Sequence, residues 1–137
     1  MKHQNSEIVV DATNSILGRV ASFVAKQALL GKSVVILNCN KTLITGRKED
    51  IIGKYMRSRS RVGSSLKGPK IIKNPQRIMK RTVRGMLSHK QGRGRIALKR
   101  LMFYNSVPPE YENFEKISMS KLLKVKTINL EDLSKHM

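Results

Sequence analysis

The 137-residue chain reads as an α/β protein. Two observations predict this. Ile8-Val9-Val10-Asp11-Ala12 and Val34-Val35-Ile36-Leu37 are short apolar runs rich in β-branched residues, the composition of buried strands. Between them, Ile16, Val20, Val24 and Ala28 recur every fourth residue, with Leu17, Ala21 and Phe23 beside them, which is the apolar stripe of an amphipathic helix. Strand, helix and strand within about thirty residues make a βαβ unit, so the two strands are expected to be parallel with a right-handed crossover.

In chain order, residues 1–7 read as a disordered start. Thr13-Asn14-Ser15 supplies capping residues for the first helix, and Gly31 ends it as a left-handed cap. Thr42-Leu43-Ile44-Thr45 is a third short strand. Asn38 to Lys41 is too short to cross over between neighbouring parallel strands, so either this pair is antiparallel or one strand is bent by a tight turn; both alternatives stay open. Gly46 breaks the chain. A helix follows from Glu49 to about Arg57, with Glu49 and Asp50 in its first turn, where the helix dipole favours acids. Arg57 to Lys70 is basic, rich in Ser and Gly and nearly free of apolar residues. A loop so charged and so poorly anchored is expected to be an arm that orders on RNA.

Asn74 and Pro75 then open the helix around which the chain is organised. Asn74 is a capping residue, and Pro75 suits the first helical position because the N–H it lacks would have no partner there. At 100° per residue, Ile78, Met79, Thr82, Val83 and Met86 fall on one side, and Arg77, Lys80, Arg81, Arg84 and Ser88 on the other. Most charged helical faces are simply solvated. This one contains no acid, so no i,i+4 ion pair relieves its repulsion, and it runs into His89-Lys90-Gln91-Gly92-Arg93-Gly94-Arg95, where glycines let a basic backbone lie close to a partner. A polyanion is the expected partner. Ile96 to Arg100 make a helical turn or two, Leu101-Met102-Phe103-Tyr104 a strand, and Pro108-Pro109 stops regular structure. A weaker pattern (Ile117, Leu122, Leu123, Val125, Ile128, Leu130, Leu133) marks residues 110–137 as an extension packed on the domain or on a neighbour.

The charge distribution agrees. The formal net charge is +19, and residues 41–100, with 19 Lys/Arg against 2 Asp/Glu, carry +17 of it. Self-repulsion on this scale does not stabilise a free domain, whereas binding to nucleic acid offsets it through counterion release. Aromatic residues make up only 4%, fewer than single-strand binders with stacking platforms usually carry. Phosphate and shape recognition of folded RNA fits better, with Arg as the main agent because its planar fork pairs with phosphate oxygens. The single cysteine, Cys39, excludes an internal disulfide and a cysteine-based zinc site. No apolar run approaches the length of a membrane span, and the polar start lacks the core of a signal peptide, so a cytosolic protein is expected.

Other chemistries find little footing. Leu30-Gly31-Lys32-Ser33 looks like part of a phosphate loop, but position 26 is Lys26 instead of Gly and the strand and helix stand in the wrong order. His3, His89 and His136 have no ligand spacing, and His89 is better placed as an RNA contact. Asp11 at a strand end could be a catalytic acid, but it has no partner nearby in sequence, and fixing the turn into the first helix is its expected role. The sequon Asn40-Lys41-Thr42 has no use in a cytosolic protein. No cofactor, metal, membrane or small-molecule substrate is expected. The rival reading is an RNA-modifying or RNA-processing enzyme of α/β fold.

Four stretches together resemble the universal large-subunit ribosomal protein L-thirteen family, in its archaeal and eukaryotic branch. They are Val9-Val10-Asp11-Ala12 with Leu17-Gly18-Arg19 and Ala21-Ser22; Asn38 to Lys41 with Ile44-Thr45-Gly46; Gly68-Pro69; and, most specifically, Arg81-Thr82-Val83-Arg84-Gly85-Met86-Leu87 with Gly94-Arg95, Ala97, Lys99-Arg100-Leu101, Tyr104 and Val107-Pro108. The family usually has proline after Met-Leu. Ser88 stands there in this chain, which lets the helix run slightly further. The resemblance implies a three-layer α/β/α domain on a small, mostly parallel four-stranded sheet. It also implies a structural, non-enzymatic role in the large ribosomal subunit, with large-subunit ribosomal RNA and neighbouring ribosomal proteins as partners and a part in subunit assembly. Residues 1–109 are then a single RNA-binding domain with a basic arm at 57–73, and 110–137 is the extension. The expected RNA contacts are Arg57, Arg59, Arg61, Lys67, Lys70 and Lys73 of the arm, Arg77, Lys80, Arg81 and Arg84 of the helix, and His89, Lys90, Arg93, Arg95, Lys99 and Arg100 beyond it.

Overall fold

The computed structural model describes residues 7–61 and 72–137. The βαβ unit is present: β1 (Glu7–Asp11), α1 (Leu17–Leu29) and β2 (Ser33–Leu37), with β1 and β2 parallel and Val9 level with Val35. The expected disordered start lies outside the described residues, except for Glu7, which is the first residue of β1. α1 ends as expected. Gly31 takes φ +92°, and the N–H groups of Gly31 and Lys32 donate to Ala28 and Gln27 in a Schellman arrangement. Its start differs, because Ile16 is the N-cap and no side chain caps it.

Two further strands complete a four-stranded, fully parallel sheet in the order β4–β2–β1–β5, where β4 is Leu101–Phe103 and β5 is Lys116–Ser118. Thr42–Thr45 does not join it, and neither sequence alternative describes what happens. After β2, Asn38 turns into the left-handed region (φ 57°), a short 3-10 turn spans Cys39–Lys41, and the chain leaves the sheet. β3 (Leu43–Thr45) then pairs antiparallel with β6 (Thr127–Asn129), 82 residues later in register, Thr45 against Thr127, as a separate ribbon.

The period-two alternation of the strands sends Val10, Val34 and Ile36 to one face and Val9, Val35 and Leu37 to the other. The first face carries the main core, under α1, α3 (Pro75–Gly85), α4 (Gly92–Lys99) and α5 (Leu130–His136). The second is covered by a thin layer, the chain around the 3-10 turn Pro109–Tyr111, where Tyr104, Val107 and Tyr111 pack on the sheet. Tyr104, Tyr111 and Phe114 form a ladder with ring centroids 5.9 and 5.4 Å apart. Half of the chain's six aromatic residues therefore serve packing here. α2 (Lys48–Ser60) runs three residues beyond its expected end and takes in Arg57 and Arg59.

The carboxyl end of the sheet is closed by a hub of hydrogen bonds. Asp11 Oδ1 accepts from Thr13 N (3.0 Å), Thr13 Oγ1 (2.7 Å) and Asn38 Nδ2 (3.1 Å). Leu43 N donates to Ser15 O (2.8 Å), Asn14 N to Lys41 O (3.1 Å) and Leu130 N to Thr42 O (2.9 Å). Thr13, expected to cap α1, is thus committed to Asp11. Ser15 and Thr42 are buried within the hub, and so is Cys39, whose thiol burial pushes up to about 12. Partial burial pushes the Asp11 carboxyl up, but the hydrogen bonds from Thr13 and Asn38 and the charge of Lys116 outweigh it, and its pKa falls below the ordinary value.

Two predictions follow from this packing. Leu133, at 0% exposure, and Leu122, at 104%, are the same residue type in opposite settings. Leu133→Ala is expected to cost about 2–4 kcal/mol in urea unfolding and Leu122→Ala less than about 0.5 kcal/mol. For Asp11, a folded pKa below the unfolded one means that its contribution is complete above about pH 4 and is lost as pH falls through the folded value. Asp11→Ala should therefore cost about 1–2 kcal/mol at neutral pH, and thermal melts at decreasing pH should show the gap to the parent protein closing.

Candidate nucleic-acid interface

α3 is positioned from both ends. Asn74 caps it, its Oδ1 accepting from Gln76 N (3.2 Å), with Pro75 at the first position as expected. Asn105, just beyond β4, adds a second clamp: its Nδ2 donates to Asn74 Oδ1 (2.8 Å) and its Oδ1 accepts from Gln76 N (3.1 Å). The start of α3 is thereby tied to the end of a core strand. Along the helix, Ile78, Met79 and Val83 are fully buried, while Met86, expected on that side, is 45% exposed.

Arg77, Lys80, Arg81 and Arg84 all lie on the exposed side. All nine acidic residues of the chain lie in the described residues, where a single salt bridge forms, Lys135 to Glu131 at 3.6 Å, on α5. None of the α3 cations is neutralised by it. Arg81 lies beside Tyr55 of α2, in a small recess that Ile78 and Thr82 also line. Burial pushes the Tyr55 phenol up, and the Arg81 guanidinium offsets only part of this.

The segment after α3 differs from expectation. α3 ends at Gly85, so Ser88 does not prolong it, and tight turns carry the chain to Gln91. The helical turn expected from Ile96 begins earlier, and Gly92-Arg93-Gly94-Arg95 is the first part of α4. Gly94 is buried against the backbone of Ser88, into which a Cβ would collide. Its glycine serves the packing of α4 on the preceding turn. That contact sets Arg93 and Arg95 beside the end of α3, both exposed, as are Lys90 and Lys99.

The other expected contacts divide. Arg61 and Lys73 are exposed, and Lys67 and Lys70 lie outside the described residues. Arg57 Nε donates to Gly53 O (3.3 Å) and Arg59 Nη1 to Met137 O (3.1 Å), so each has a structural contact. Half-buried His89 lies 3.3 Å from Arg84 O through Nδ1. Arg100 Nη1 donates to Ala28 O at the end of α1 (2.9 Å), which makes it a cap on that helix. Lys26 of α1, not singled out from the sequence, shares a groove with Arg93, Leu29 and Met86. Lys26 is exposed on α1 and comes beside Arg93 because α1 and α4 pack together.

Residues 5–110 match the model of a family described as ribosomal protein L13. The chain belongs to this family. Proteins named large ribosomal subunit protein uL13 are similar along nearly its whole length. The one from Picrophilus torridus is 46% identical over 131 residues, covering 93% of this chain and 94% of its own. That from Methanocaldococcus jannaschii is 43% identical over 132 residues (94% and 96%), and that from Natronomonas pharaonis 41% over 134 residues (97% and 92%). The resemblance read from the four sequence stretches is therefore correct, and these relatives are archaeal.

Gly94 offers a test of how the interface is built. Alanine normally improves a helix over glycine by about 1 kcal/mol. Gly94→Ala is expected to do the opposite and destabilise by about 1–3 kcal/mol, because the Ser88 backbone must move. Gly92→Ala, where a Cβ meets open space, should be neutral or stabilising; thermal melts of the two variants make the comparison.

Proposed function

We propose that this chain is a structural constituent of the large ribosomal subunit, bound there to large-subunit ribosomal RNA and in contact with neighbouring ribosomal proteins. It works in the cytoplasm and supports subunit assembly. The observation that carries this reading is the acid-free face of α3, set on a rigid core in a member of the ribosomal protein L13 family. Arg77, Lys80, Arg81 and Arg84, with Arg93 and Arg95, grip phosphates. Lys90, Lys99 and His89 extend the contact, and the part of the basic arm that follows α2, residues 61–73, threads into folded RNA. Residues 1–109 carry this RNA-binding unit, and 110–137 is an extension of it.

The rival reading, an RNA-modifying enzyme, would place its site where α/β enzymes place theirs, in the crevice beyond the carboxyl ends of the parallel strands. Here that position is filled by the hydrogen-bonded hub, with Asp11 held by Thr13 and Asn38. The architecture supports binding.

Sedimentation of a lysate should place the protein with the large subunit and keep it there in moderately high salt. In binding to large-subunit ribosomal RNA, replacing Arg81 and Arg84 together by Gln should lower the slope of log affinity against log salt by about 2 and weaken binding to all RNA sequences alike. Protein at the top of the gradient in both salts, together with an unchanged slope, would contradict the proposal.

A further inference from the structure

A second cationic site lies away from α3 and α4. Arg19 on α1, Arg47 at the N-cap of α2 and Lys126 before β6 line one cleft, with Leu123 and Val125 as its apolar wall. It shares no lining residue with the groove at Lys26 and Arg93 or with the recess at Arg81.

The fold builds this convergence. The β3–β6 register sets Thr45 opposite Thr127, which brings Arg47 and Lys126 to the same end of the ribbon. Gly46 N then donates to Lys126 O (2.9 Å), closing the two segments on each other. Gly46 takes φ +134°, which an L side chain rarely adopts, and a Cβ there would press on Ile51. The bridge between Ile16 and Leu43 fixes the start of α1, and with it Arg19, alongside β3. Three cations are thus held together by backbone pairing, although no acid lines the cleft and none forms a salt bridge with them among the described residues.

We infer that this cleft is a second RNA contact, which takes the sugar–phosphate backbone of an RNA segment other than the one on α3. The inference rests on the proposed RNA-binding function and extends it to α1, the ribbon and the C-terminal extension. RNA backbone is the occupant favoured over an acidic protein segment because the chain belongs to a ribosomal protein family and carries a formal net charge of +19, and the cleft's own chemistry fits it. Two of the three cations are arginines, whose forks pair with phosphate oxygens. The wall is aliphatic, with no aromatic ring for base stacking, so a sequence-independent backbone contact is what it can make. Two separated contacts would let the protein bridge two RNA segments, which is how a small protein holds a larger RNA fold together.

The test compares two double variants of the full chain in binding to large-subunit ribosomal RNA across a salt series: Arg47→Gln with Lys126→Gln, and Arg81→Gln with Arg84→Gln. Arg19→Gln alone serves as a second probe of the cleft, and thermal melts check folding. The cleft pair is expected to lower the salt slope by about 2 and Arg19→Gln by about 1, additively with the α3 pair. An unchanged slope for the cleft variants beside a lowered one for the α3 pair overturns the inference and leaves the proposed function standing. Unchanged slopes for both overturn both. Cleft variants that bind RNA normally but lose a neighbouring protein from reconstituted subunits would make the cleft a protein contact, which also overturns the inference.

Discussion

The rest of the proposed interface depends on how α3 is anchored. Four cations repel one another along one exposed side, and no acid in the chain neutralises them, so electrostatics alone would favour fraying of this helix. Two things oppose that. Ile78, Met79 and Val83 are fully buried against the core, which at roughly 1.5–3 kcal/mol for each fully buried apolar side chain outweighs exposed-charge repulsion screened by water. The Asn105 amide, which donates to Asn74 Oδ1 and accepts from Gln76 N, ties the first turn to the end of β4. Apolar burial on one side of the helix thus permits uncompensated charge on the other.

The same division of labour runs through the sheet. Parallel strands leave their carboxyl ends as the natural opening of an α/β fold, and this chain closes that opening. Asp11 gathers three donors from the two loops that meet there, and two asparagines, Asn14 and Asn38, accept left-handed backbone so that those loops can turn tightly. Ser15 and Thr42 are buried in the hub, where backbone groups from the loops, from β3 and from the start of α5 find partners. The molecule is closed by hydrogen bonds where an enzyme would be open, and the cations of the proposed α3 interface stand on a helix instead of around that crevice.

Much of this was legible in the sequence. Period-four apolar spacing marked α1, β-branched runs marked β1 and β2, and Asn74-Pro75 with segregated charge marked α3 and its faces. What escaped depended on partners distant in sequence. β3 looked like an addition to the first sheet because its true partner, β6, lies more than eighty residues away, and nothing in Thr42–Thr45 names it. β5 has only three residues and a half-exposed Ile117, too little periodicity to read. Gly94 showed itself as a glycine between arginines, read as room for the backbone to lie close to a partner; what it lies close to is the Ser88 backbone, a contact within the chain. Arg100 also donates to the carbonyl of Ala28 at 2.9 Å, a contact across 72 residues that nothing in the local sequence reveals. Local pattern specified the helices, while register and close approach specified their exceptions.

The charge balance ties these observations together. A chain at +19 with one salt bridge among its described residues has little internal relief for its repulsion. Its core must therefore be sufficient without electrostatic help, and the continuous apolar cluster beneath α1, α3, α4 and α5 supplies it. In the proposed complex, phosphates placed along α3 would remove repulsion that the free protein carries, so bound RNA would act as a stabilising ligand for the native state as well as a partner. The charged sides of the helices then belong to the stability of the assembled particle, and the apolar sides to that of the protein alone.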